Sequence, residues 1–202
     1  MTEERAGLPI IAFADAAALE AWMTRQPADS RGAWIKFAKA ASGIASVSKA
    51  EAIDVALCHG WIDGQLDKYD GDHWLIRFTP RKARSQWSQV NRARATELAG
   101  AGRMRAGGLK QMEAAKADGR WEAAYAPASK ATVPADLQAA LDQNPAAAAF
   151  FATLTGANRY AVLYRIGAVK KPETRARKIA EFVEMLGRGE APSSAKTARS
   201  LA

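Results

Sequence analysis

The fold turns on WIDGQLDKYDGDHWLIRFTP, residues 61–80. Trp61 to Tyr69 and His73 to Thr79 are two runs of strand-forming residues on either side of Asp70-Gly71, a dipeptide suited to a tight hairpin turn. In the second run Trp74, Ile76 and Phe78 alternate with His73, Leu75 and Arg77, which predicts a strand. Pro80 removes a ladder donor and stops it. Upstream, the Ala33 to Lys39 segment AWIKFAK has the same period of two and predicts a partner strand. Between them, Ser48 and Glu51 form a capping-box pattern that opens a helix through Cys58, with Gly60 as its left-handed terminator. Phe13 to Met23 has a helical period and ends near Arg25.

Downstream, Ser85 is a candidate cap for a helix from Gln86 to about Leu98, and Leu109 to Asp118 reads as another, closed by Gly119. The remainder reads as helix. Val133-Pro134 and Asn144-Pro145 each start one, Tyr160 to Val169 forms a third, and in Pro172 to Leu186 the residues Ile179, Phe182, Val183 and Leu186 make one apolar stripe. The expected class is α+β: a small antiparallel sheet with a β-hairpin covered by helices, followed by an all-helical C-terminal region. The expected division is 1–125, 131–187, and a disordered tail over 188–202, where GEAPSSAKTARSLA has little to bury.

The chain has 202 residues, 49% of them hydrophobic, enough for a buried core. One cysteine excludes an intrachain disulfide, and Cys58, His59 and His73 do not make a zinc ligand set, so no metal or cofactor is expected. No apolar run of membrane-spanning length and no signal-peptide pattern occurs, which predicts a cytoplasmic protein without membrane insertion. The net charge of +8 is uneven: residues 1–76 sum to −4, 77–120 to +8 and 121–202 to +4. Such a basic stretch is a solvated helical surface or a contact for an anion.

Three separated segments carry a family resemblance: ALCHGWIDGQ at 56–65, FTPRKARSQWSQVN at 78–91, and GRW at 119–121. With VPADLQAAL and KKPETRARKIAEFVEML further on, the chain resembles the YdeI or OmpD-associated family, the bacteriocin-protection proteins. The resemblance implies a role in tolerance to bacteriocins, antimicrobial peptides and stress, with an outer-membrane porin as an associate; it implies no settled reaction.

Two blocks are candidate binding sites. A strand ending at Thr79-Pro80, the cations Arg81, Lys82 and Arg84, and a helix opening at Ser85 would gather guanidinium groups, the Ser85 and Ser88 hydroxyls and free N–H groups around one point that attracts an anion. Trp87 would stack on a ligand or pack in the core. In the second block Trp61, Asp63 and Gln65 share a strand face, so Asp63 could pair with Arg81 or Arg84 as a structural ion pair or a ligand contact. The candidate ligand-binding set is Trp61, Asp63, Arg81, Ser85, Trp87, Ser88 and Asn91. Cys58 reads as a core residue, because neighbours on a helix point about 100° apart and Cys58 with His59 makes no nucleophile–base pair. Hydrolase and phosphate-loop motifs are absent, so the enzyme question leans to no. The reading that emerges is a tolerance protein that binds an anionic small molecule or a protein partner. A nucleic-acid-binding protein, or an enzyme built on Asp63 and Arg81, are the alternatives.

Overall fold

The strand pattern closes into one sheet. A computed structural model describes residues 3–27, 29–169 and 171–192. Its elements run β1 (Glu4–Arg5), β2 (Leu8–Ala12), α1 (Ala16–Thr24), β3 (Ala33–Ala38), α2 (Lys49–Cys58), β4 (Trp61–Lys68), β5 (His73–Pro80), α3 (Gln89–Gly100) and α4 (Ala106–Ala117). Four more helices follow: α5 (Ala135–Asp142), α6 (Pro145–Thr153), α7 (Gly156–Gly167) and α8 (Pro172–Gly187). The chain divides into two compact units, Met1–Ala124 and Tyr125–Ala202.

The protein is α+β with a helical C-terminal region, and its sheet is larger than the expected one. The order is β1-β2-β3-β5-β4: β3, β5 and β4 are antiparallel as the hairpin reading required, while β2 joins β3 in parallel. The N-terminal strands were missed because LPIIA, residues 8–12, is a continuous apolar run that gives no period. The hairpin turn also differs. It spans Tyr69 to Asp72 and is closed by the Asp70 carboxylate, which accepts from the N–H groups of Asp72 and His73, without a left-handed residue at Gly71. A bulge lies between Asp63 and Leu66, so Asp63 sits opposite Phe78 but Leu66, not Gln65, sits opposite Ile76. One extra residue there switches which side chains share the inner face.

That face carries Ile35, Phe37, Ile76 and Phe78, and α1 and α2 cover it with Leu19, Met23, Ala52, Val55 and Ala56. Each large apolar side chain buried in this way contributes about 1.5–3 kcal/mol. Helix α2 starts as predicted: the Glu51 N–H donates to Ser48 Oγ at 3.2 Å, and the Ser48 N–H donates to the Glu51 carboxylate at 2.9 Å. It ends with Gly60 at φ +77°. A second cluster on the other side of α2 holds Leu57, Cys58, Trp87, Leu98, Met104, Met112 and Trp121, so Cys58 is the core residue the sequence indicated.

Helix α3 begins three residues later than expected. Ser88, not Ser85, is its cap, with the Asn91 N–H donating to Ser88 Oγ at 3.1 Å. Ser85 instead closes the preceding turn, accepting from the Lys82 N–H at 3.0 Å. The reason is Trp87: its burial ties residues 81–87 into a loop before the helix can start.

In the second unit the α8 stripe packs as predicted. Ile179, Phe182 and Leu186 are buried against Leu137, Leu141, Phe151, Val162 and Ile166, and Val183 is half-buried at the margin. Asn144 caps α6, accepting from the Ala147 N–H, with Pro145 in the first turn. Of the segment expected as a disordered tail, Arg188–Pro192 is described, and the Glu190 N–H bonds back to the Met185 carbonyl. Residues 193–202 lie outside the described residues.

Candidate functional site

The seven residues singled out from the sequence are all in the first unit, and the structure uses them in three ways. Arg81 and Trp87 are buried together, 5% and 1% exposed, with the guanidinium carbon 3.7 Å from the centre of the indole ring. Arg81 Nη1 also donates to the Gln86 carbonyl, and the Arg81 N–H donates to the Gly60 carbonyl. This stacked pair joins the end of β5 to the loop before α3. Ser85 and Ser88 turn their hydroxyls to backbone N–H groups. Trp61, Asp63 and Asn91 line one crevice with Ile53, Ala56, Leu57 and Ile62, and that crevice is too narrow for a water molecule.

Segments distant in sequence converge here. Trp121 packs edge-on against Trp87 with ring centres 4.9 Å apart. Arg120, 7% exposed, donates to the Ser85 carbonyl at 2.9 Å and pairs with Asp118. Arg92 donates to the Trp121 carbonyl. The GRW segment thus locks the loop formed by residues 81–88, a connection that spacing alone did not show.

Part of the charge of the basic stretch is answered by two acids of the N-terminal part. Arg94 holds Asp54 in a two-pronged contact, with Arg103 also within 3.8 Å of it, and Arg105 holds Glu20. The Arg105 guanidinium keeps the Glu20 carboxyl below the usual carboxylate range. Lys82 and Arg84 remain exposed beside the Trp87 loop. A part of the +8 of residues 77–120 is therefore met within the chain by two acids of residues 1–76, Asp54 and Glu20.

His59, at the end of α2, has a side chain only 9% exposed, and its Nε2 lies 3.9 Å from the Glu20 carboxylate without a hydrogen bond. Burial pushes its pKa below the ordinary 6.5, and the nearby Glu20 charge opposes that in part. The native state therefore favours neutral His59, whereas the unfolded chain takes up a proton first as pH falls through about 6.5. Melting temperature is expected to drop as pH falls through about 6.5 and below, and His59→Gln should flatten that part of the profile. An unchanged slope in the variant would assign the dependence elsewhere. Loss of the Glu20–Arg105 pair belongs to a lower window, below the ordinary carboxyl value of 4.5.

The second unit has a feature the sequence reading missed. An open groove of about 840 Å³ runs along α8 beside α5 and the start of α6, walled mainly by Ala140, Pro172, Ala176, Ile179, Ala180 and Val183. Polar groups stand along it: Asp136, Gln143, Asn144, Arg175 and Glu184. Arg175 is fixed, donating to both oxygens of Asp136 and to the Ile166 carbonyl. The signal was Ala176 and Ala180, one turn apart on the side of α8 next to the Ile179 stripe; alanines there leave a trough where larger residues would fill it.

Fold and site define an α+β unit followed by a helical unit with an open, mainly apolar groove. Residues 11–111, half of the chain, match the family described as a domain of unknown function, DUF8412, and the chain belongs to that family. Residues 130–189 match the family described as "Bacteriocin-protection, YdeI or OmpD-Associated", the family the sequence resembles. The segments at 56–65 and 78–91 fall inside the first match, and helices α5–α8, among them those that line the groove, inside the second. No curated protein and no solved structure matches the chain. Among the described residues no helix is long and apolar enough to cross a membrane, and no group of three or more His, Cys, Asp or Glu is placed to hold a metal.

Proposed function

We propose that this is a bacteriocin-tolerance protein of the YdeI or OmpD-associated type that acts in the cytoplasm by binding a protein or peptide partner. The observation that carries the reading is the groove on α8. Its volume is that of a ligand site, its walls are apolar, and the Asp136–Arg175 pair fixes a polar point within it. The match to the bacteriocin-protection family covers the helices that form it. Between the two kinds of partner the sequence left open, a protein or an anionic small molecule, the groove favours the protein. Arg81, the strongest anion candidate, is committed to Trp87 and to the Gln86 carbonyl.

The reading is tested by filling the groove. Ala180 is exposed, so Ala180→Arg leaves the core of the unit intact. A strain lacking the protein is challenged with a bacteriocin and complemented with wild type or the variant. Wild type is expected to restore survival and the variant to fail at equal protein level and unchanged circular dichroism. Full rescue by the variant would sink the groove as the working surface. No rescue by wild type would sink the tolerance role.

A further inference from the structure

A different cavity, in the first unit, is unused by that reading. It lies between α1, the end of α2 and the turn joining α3 to α4, encloses about 160 Å³, and is walled by Glu20, Val55, Cys58, Gly102, Arg103 and Arg105. A water molecule occupies about 30 Å³ in the liquid, so there is room for one small polyatomic ion. Two of the lining residues are arginines and one is a glutamate.

Those three groups are differently engaged. Arg105 is anchored on Glu20, with Nε 3.0 Å from Oε1 and Nη2 on the same oxygen, which leaves Oε2 to accept from another donor. Arg103 stands 3.8 Å from Asp54, beyond hydrogen-bond length, while Asp54 is held by Arg94; Arg103 is half exposed and lines the cavity. His59, whose side chain is nine-tenths buried, also approaches Glu20, with Nε2 3.9 Å from Oε1 and no hydrogen-bond partner.

We infer that this cavity is a site for inorganic phosphate in its protonated form. Arg103 and Arg105 supply charge-assisted N–H donors to the anionic oxygens. Glu20 would repel a fully ionised anion, but it accepts a hydrogen bond from the one P–OH that hydrogen phosphate keeps at neutral pH. The carboxylate that looks like an obstacle is then the selectivity element. Sulfate has no proton to offer. A phosphomonoester, whose second pKa is about 6, has none at about pH 8 either. Both leave an acceptor facing an acceptor, the kind of mismatch that costs more than a missing contact.

The test is isothermal titration of the full chain at about pH 8 and constant ionic strength with inorganic phosphate, sulfate or methyl phosphate. Phosphate is expected to bind one per chain, with sulfate and methyl phosphate weaker by about tenfold or more. Arg103→Gln, an exposed change that leaves the Arg105–Glu20 contact in place, should weaken phosphate by about the same factor. Glu20→Gln should narrow the ratio of phosphate to sulfate toward one, since a carboxamide presents a donor as well as an acceptor. Saturable phosphate binding that Arg103→Gln leaves unchanged would overturn the inference. So would equal binding of sulfate by wild type, or no phosphate binding at all. Groove filling by Ala180→Arg should leave phosphate binding untouched, so this site and the partner groove stand or fall separately.

Discussion

Trp87→Ala is expected to destabilise the first unit by about 3–5 kcal/mol, a large part of the roughly 5–15 kcal/mol that holds a typical domain folded. Trp87 is 1% exposed, packs on Trp121 and belongs to the cluster that holds Leu57, Leu98 and Met112, so truncation leaves a cavity in the core shared by α2, α3 and α4. It also removes the ring on which the buried Arg81 guanidinium rests at 3.7 Å. The indole Nε1 makes no hydrogen bond, so no polar contact of the ring is lost and the cost is one of packing and the Arg81 stack. Trp87→Phe keeps an aromatic face under Arg81 and should lose much less. Urea unfolding followed by circular dichroism checks this. A midpoint shift for Trp87→Ala no larger than that of Val90→Ala, at a position 57% exposed, would refute the account.

Gly108→Ala should come next in size, and its sign runs against local propensity. Gly108 lies in the first turn of α4, where alanine is favoured over glycine by about 1 kcal/mol. In the folded chain, however, a Cβ at this position would stand 2.4 Å from the Cys58 carbonyl oxygen, 2.7 Å from that of Leu57 and 2.6 Å from the Met104 terminal methyl. Met104 could shift; the two carbonyls belong to the last turn of α2 and cannot. Helix α4 cannot back away without breaking the bond from the Arg105 N–H to the Cys58 carbonyl. Overpacking of this kind costs about 1–3 kcal/mol or more, and the upper end applies because both obstacles are backbone. Gly100→Ala is the control: it is helical with nothing within 4 Å of the added carbon, so it should be neutral or slightly stabilising. A thermal melt in which Gly108→Ala matches or exceeds wild type would show that α2 and α4 are not in this contact.

Period and punctuation made several elements legible. The alternation from His73 to Phe78, the Ser48–Glu51 cap with Gly60, and the Ile179–Leu186 stripe each formed as read, because each depends on residues within two turns of one another. The candidate site was legible as a set of residues but not as an arrangement. Arg81 and Trp87 are adjacent in space as well as near in sequence, yet whether Trp87 faces a ligand or the core depends on Trp121 and Arg120, more than thirty residues away. The groove was not legible as such. Ala176 and Ala180 are ordinary helix formers until α5 and the cap of α6 stand beside them.

The sequence by itself determined the α+β class, the helix and strand identities of its strongly periodic segments, the core fate of Cys58, and the resemblance to the bacteriocin-protection family, since these rest on local geometry and motif order. Only the tertiary structure decided the parallel addition of β2, the face switch at the Asp63–Leu66 bulge, the cap at Ser88, and the pairing of a basic middle with an acidic N-terminal part. The physical reason is common to them. Each is set by which surfaces meet, and backbone carbonyls, ring faces and opposite charges far apart along the chain choose their partners only when the chain closes on itself.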